Sequence, residues 1–93
     1  MTGDAVWRVE FTKEAAVEYR KLDHKARGRI LKYLRTRIAT AQNPRRFGKR
    51  LSGDLAHLWR YRVDDYRILA SIRDDSWLVL VVAVGHRKRI YRG

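Results

Sequence analysis

Leu58-Trp59-Arg60-Tyr61-Arg62-Val63, then Asp64-Asp65, then Tyr66-Arg67-Ile68-Leu69-Ala70-Ser71-Ile72-Arg73, then Asp74-Asp75-Ser76, then Trp77-Leu78-Val79-Leu80-Val81-Val82-Ala83-Val84-Gly85-His86-Arg87-Lys88-Arg89-Ile90-Tyr91: three apolar, β-branched runs are separated by two acidic turns. Runs of this kind bounded by turn residues read as an antiparallel meander. A two-residue loop at Asp64-Asp65 sets Val63 against Tyr66, Arg62 against Arg67 and Tyr61 against Ile68. Side chains alternate faces along a strand, so Trp59, Tyr61, Val63, Tyr66, Ile68, Ala70 and Ile72 share one face. Arg60, Arg62 and Arg67 share the other, with Leu69 and Ser71. Like charges directly opposite destabilise a sheet. By this alternation no acid lies on the arginine face, which therefore reads as an anion site. The plainer alternative is a solvated outer face.

The third run is apolar on both faces. Val79, Val81 and Ala83 are expected in the core, leaving Leu78, Leu80, Val82 and Val84 beside the arginines. Such a surface is costly to leave bare in water. It predicts a protein partner covering Leu69, Leu80 and Val82, or a terminal segment folded back over them. Simple alternation puts His86 on the Arg67 face, and Gly85 can break that alternation and re-aim Arg87. Both are candidate site residues, with their relative placement open. Tyr91 can reach back after one turn of chain.

Upstream, Val6 to Phe11 reads as a short strand with Trp7, Val9 and Phe11 on one side. Thr12 is the expected N-cap of a first helix whose stripe is Ala15, Ala16, Tyr19 and Leu22. Asp23 ends that helix and caps a second, from Lys25 to Ala41, with Ile30, Leu31, Leu34, Ile38 and Ala41 buried. Asn43-Pro44 stops it. The basic, glycine-punctuated loop from Arg45 to Asp54 follows, with Phe47 and Leu51 to pack it. It lacks a phosphate-binding glycine loop, and Arg45, Arg46, Lys49 and Arg50 are candidate phosphate-backbone contacts, as are Lys88 and Arg89. The expected fold is α+β in the order β-α-α-β-β-β: a helical hairpin on a small antiparallel sheet.

Composition narrows the function. The 93 residues, taken as one domain over 1–93, carry 22 Lys and Arg against 10 Asp and Glu, a net charge of +12. No acid occurs from His24 through Gly53, nor after Asp75. A nucleic acid or another polyanion is the expected partner. There is no cysteine, and His24, His57 and His86 show no ligand spacing, so neither a metal nor a cofactor is expected. No run is long enough to span a bilayer and no leader opens the chain, which makes the cytoplasm the expected compartment.

The run from Leu51-Ser52-Gly53 through Trp59-Arg60-Tyr61-Arg62 to Tyr66-Arg67-Ile68, followed by Gly85-His86-Arg87 and Tyr91, resembles the RelE/ParE superfamily of toxins. The resemblance covers nearly the whole chain. It implies a toxin paired with an acidic, RelB-like antitoxin in a heterotetramer or larger complex. In the RelE branch it implies entry into the ribosomal A site and cutting of messenger RNA by its own 2′-hydroxyl. Arg60, Arg62, Arg67, Arg87 and Tyr91 match the family's positions. Arg67 would stabilise the phosphorane, Arg87 would hold the phosphate or assist the leaving oxygen, and Tyr91 would orient or stack a base. Arg60 stands where a lysine is common, and a guanidinium with a pKa above about 12 is a poor base. The resemblance then leaves three alternatives: His86 as the base, Tyr91 with a depressed pKa as the base, or weak cleavage. The alternative, from the ParE branch, is a toxin that poisons DNA gyrase by protein contact. A basic nucleic-acid-binding module without toxicity is the third reading.

Overall fold

A computed structural model describes residues 6–88. Its elements are β1 (Arg8–Phe11), α1 (Lys13–Arg20), α2 (His24–Tyr33), a π turn (Leu34–Ile38), a 3-10 turn (Pro44–Phe47), β2 (Lys49–Arg50), β3 (Trp59–Val63), β4 (Tyr66–Arg73) and β5 (Leu78–His86). The expected α+β order is present, and the sheet is larger than expected. Five strands run in the order β1-β5-β4-β3-β2. β1 lies parallel to β5, pairing Arg8 with Leu78 and Phe11 with Val81, so the sheet is mixed. β2, only two residues long, adds an edge beside β3.

Both helix caps form as the sequence predicts. The Thr12 hydroxyl accepts from Ala15 N–H and the Asp23 carboxylate accepts from Ala26 N–H, each satisfying one of the orphan donors of a first turn. The second helix departs from expectation at Leu34. The Thr36 hydroxyl donates to the Lys32 carbonyl at 2.7 Å, taking the acceptor an α-helix needs there. The chain widens to a π turn closed by Ala39 N–H to Leu34 O at 2.8 Å. The buried stripe is Ala26, Ile30, Leu34 and Ile38. Ala41 lies beyond the helix and is exposed. Leu31 is 47% exposed, at the margin of the stripe, and lines a groove with the edge strand β1.

The core is a single cluster between the helices and the sheet, with Ile30, Ile38, Tyr61, Ile68, Val79 and Val81 fully buried. Trp77, expected in the last strand, instead occupies the β4–β5 turn at φ 51°, and its ring packs 5.3 Å from that of Trp7. No helix among the described residues is long and apolar enough to cross a membrane.

Candidate phosphate-binding face

The β3–β4 hairpin has the register expected from its two-residue loop: Val63 opposite Tyr66, Arg62 opposite Arg67, Tyr61 opposite Ile68. Asp64 adopts φ 55°, a left-handed geometry that aspartate tolerates better than most side chains. Two arginines clamp this turn. Arg29 of α2 pairs with the Asp64 carboxylate, which raises the guanidinium's pKa. Arg87 donates its backbone N–H to Asp65 O at 2.8 Å, and its Nε lies 3.9 Å from the Asp65 carboxylate.

Arg67 is less solvated than its place on the outer face suggests: it is 8% exposed. Its Nη1 donates to the Asp64 and Tyr66 carbonyls at 3.3 and 3.1 Å. The turn therefore fixes the guanidinium, and the Arg29 and Arg87 contacts fix the turn. Arg60 sits opposite Leu69 and is half-buried; its Nε is enclosed with no hydrogen-bond partner among the described residues. Arg62 is exposed. The three arginines expected to share a face do so.

The last strand changes faces part-way. Leu69 pairs with Ala83 but Ala70 with Val81, so Val82 is an extra residue, a β-bulge. Alternation reverses beyond it, correcting three expectations. Val84 is in the core at 3% exposed rather than beside the arginines, and Ala83 stands opposite Leu69 on the outer face. His86 pairs with Tyr66, edge-on at 5.8 Å between ring centroids, on the helix-facing side and away from Arg67. Its Nδ1 accepts from Lys88 N–H at 3.2 Å. Gly85 takes the place opposite Arg67, and Arg87 follows just past the paired residues, its Nε 3.9 Å from the Asp65 carboxylate. Sequence pattern cannot count a bulge that inserts a valine between valines.

The bulge has a partner that sequence reading missed. β1 ends opposite Val81, so the next N–H on that edge of β5, at Val84, has no strand to meet. The Glu18 carboxylate of α1 accepts it at 2.9 Å.

The apolar patch is smaller than expected. Leu69 is 5% exposed, flanked across the strands by Arg60 and Ala83, so it is not an open contact residue of the chain. Leu78, Leu80 and Val82 stay half-buried.

The basic loop divides. Arg45 is committed to a two-pronged ion pair with Asp74 at 2.6 and 3.0 Å and lies over Trp59, on the helix side of the sheet. That pairing holds the Asp74 carboxyl below the usual carboxylate range. Arg46 and Arg37 pack on Phe47, which is 37% exposed rather than buried. Arg50 Nε donates to Ala56 O at 2.8 Å, stapling its own loop. Lys49 alone of the four joins the arginine face, opposite Arg60. A two-residue strand carries too little pattern to be read in advance. Lys88 is exposed just past Arg87. Arg89 and Tyr91 lie outside the described residues. No cluster of His, Cys, Asp or Glu among the described residues is placed to hold a metal ion.

The face thus offers a row of cations crossing β2, β3 and β4. A model of the ParE toxin of type II toxin–antitoxin systems (parDE) matches residues 9–91. The chain belongs to this family. Solved structures show the same fold. A chain of the RelBE2 toxin–antitoxin complex from Mycobacterium tuberculosis is 26% identical, with TM-score 0.81 over 94% of this chain and 98% of the other. The isolated E. coli RelE toxin is 21% identical, with TM-score 0.69 over 94% and 87%. A chain of the archaeal RelE–RelB complex from Pyrococcus horikoshii OT3 is 21% identical, with TM-score 0.66 over 89% and 97%. No curated protein matches. The chain is therefore a toxin of a type II toxin–antitoxin system, within the RelE/ParE superfamily.

Proposed function

We propose that this toxin is a ribosome-dependent endoribonuclease that cuts messenger RNA in the A site through attack of the 2′-hydroxyl, stopping translation. The observation that carries this reading is the assembly of Arg60, Arg62 and Arg67 on one face, with Gly85 paired opposite Arg67 and Arg87 reaching the hairpin turn at Asp65. Cleavage needs charge stabilisation on a phosphorane, and fixed cations supply it without reorganising at the moment of reaction. Arg67, held by two turn carbonyls, stabilises the phosphorane. Arg62 and Arg60 bind the flanking phosphates, and Arg87 holds the scissile phosphate. Tyr91 stacks on or orients a base. Arg46, Lys49 and Lys88 are exposed and available to ribosomal RNA; Arg45 and Arg50 serve there only if their present partners release them.

Its partner is an acidic, RelB-like antitoxin in a heterotetramer or larger cytoplasmic complex, covering Leu80 and Val82. The net charge of +12 favours an acidic segment.

The second reading is poisoning of DNA gyrase by protein contact, favoured by the description of the matching family as ParE toxins. Adding the toxin to a defined messenger RNA with and without programmed ribosomes separates the two. New RNA ends at the A-site codon, only with ribosomes, support the nuclease. No ends from protein that still arrests growth, with DNA breaks in those cells, overturns it.

A further inference from the structure

We propose that Lys49 is the proton donor to the leaving oxygen in RNA cleavage; this rests on the nuclease reading. Breaking the P–O5′ bond leaves an alkoxide that needs a proton. Guanidinium groups stabilise charge but do not give up a proton near neutrality. The arginine face therefore has to find its acid elsewhere. His86 is excluded by position, because the bulge at Val82 turns it to the helix side.

Lys49 is placed for the task by two independent observations. It is the cross-strand partner of Arg60, and directly opposite side chains on one face lie about 5 Å apart at Cβ. The preceding residue shows which face this is: a Cβ on Gly48 would point into the Tyr61 ring, 3.0 Å from Cε1 on the core side. Lys49, one residue on, projects the other way, toward the arginines. Its neighbours in the loop are occupied, Arg45 by Asp74 and Arg50 by the Ala56 carbonyl. Among the described residues the Lys49 ammonium has no hydrogen-bond or ion-pair partner. β2 is an edge strand, so the long side chain is free to swing over the face.

In the step assigned to it, the 2′-oxygen bonds to phosphorus as its proton passes to water. The P–O5′ bond breaks with its electron pair going to O5′, and the Lys49 ammonium protonates that oxygen. The products are a 2′,3′-cyclic phosphate and a 5′-hydroxyl. The amine regains a proton from water, so none is consumed overall.

The test compares wild type, Lys49→Arg and Lys49→Ala in single-turnover cleavage on programmed ribosomes. Each is assayed on ordinary RNA and on RNA with sulfur replacing the bridging 5′-oxygen at the cut. A thiolate leaves without being protonated. Lys49→Arg keeps the charge but not the transferable proton. Both variants are expected to lose about 10²–10⁴-fold on ordinary RNA and to approach wild type on the sulfur substrate. Lys49→Arg cutting ordinary RNA within a few-fold of wild type would make Lys49 a phosphate contact and overturn the proposal. Equal losses on both substrates would overturn it too, as lost binding or folding. If wild type itself makes no cut, the nuclease reading fails and takes this assignment with it. If wild type and Lys49→Arg both cut, only the assignment fails.

Discussion

Glu18→Ala should destabilise the toxin and disorganise its arginine face, although Glu18 lies on a different layer. The contact is one hydrogen bond: Glu18 Oε1 accepts from Val84 N–H at 2.9 Å, across 66 residues of chain. Val84 is buried, so removing the acceptor strands a donor that water reaches poorly. An unsatisfied buried group costs about 1–3 kcal/mol. Glu18 itself is exposed, which favours the lower half of that range, about 1–2 kcal/mol. For a domain of this size that is a drop in Tm of roughly 4–16 °C. Glu18→Gln keeps an acceptor oxygen but loses the charge assistance, so it should lose about half as much. The assay is urea unfolding of all three proteins, with hydrogen exchange at the Val84 amide as the local readout. Growth arrest should weaken in Glu18→Ala, because the bulge that sets Gly85 opposite Arg67 loses its anchor. If Glu18→Ala stays within about 0.5 kcal/mol of wild type and the Val84 amide stays protected, Glu18 does not hold the bulge and this reasoning is wrong.

Two further expectations concern the frame behind the face. Tyr61→Phe removes a buried hydroxyl that donates to Pro44 O at 2.7 Å; burial pushes the phenol's pKa well up, so it stays a donor through the ordinary pH range. The stranded carbonyl should cost about 1–3 kcal/mol in denaturant unfolding, and a loss under about 0.5 kcal/mol would mean the bond contributes little. Asp74→Asn tests the ion pair with Arg45. The folded-state pKa of Asp74 is depressed, so its contribution is present above the unfolded value near about 3.9 and lost as pH falls through the lower folded value. Wild type should therefore melt above Asp74→Asn at neutral pH, with the gap closing as pH falls through that depressed value. A gap independent of pH would show that the Asp74 charge does not matter.

The hairpin was legible because its evidence is local. A two-residue loop between alternating runs admits one register, and Arg62 opposite Arg67 followed from counting. The caps at Thr12 and Asp23 were legible for the same reason. What the sequence hid depends on distant partners. The parallel pairing of β1 with β5 has no local signature. The π turn hangs on one threonine hydroxyl competing for a carbonyl. The bulge lies within Val81-Val82-Ala83-Val84, where every residue suits either face, and its consequence falls three residues later on His86. Family resemblance named Arg60, Arg62, Arg67 and Arg87 as a group. It did not show that Arg67 is buried or that Lys49 stands opposite Arg60.

These misses share a physical origin. Setting Arg62 against Arg67 costs stability, and the fold offsets that cost with contacts from every layer. Turn carbonyls take Arg67, Arg29 from α2 and Arg87 from the end of β5 hold the turn, and Glu18 from α1 holds the strand that delivers Arg87. A surface arranged only for solubility would let its arginines spread into water, where exposed pairs are worth about 0–1 kcal/mol. Here the Arg67 guanidinium is held by two turn carbonyls while Arg62, its cross-strand partner, stays exposed. A guanidinium already held in place loses little freedom when an anion arrives, and a site that must stabilise charge only as it develops requires that economy of motion.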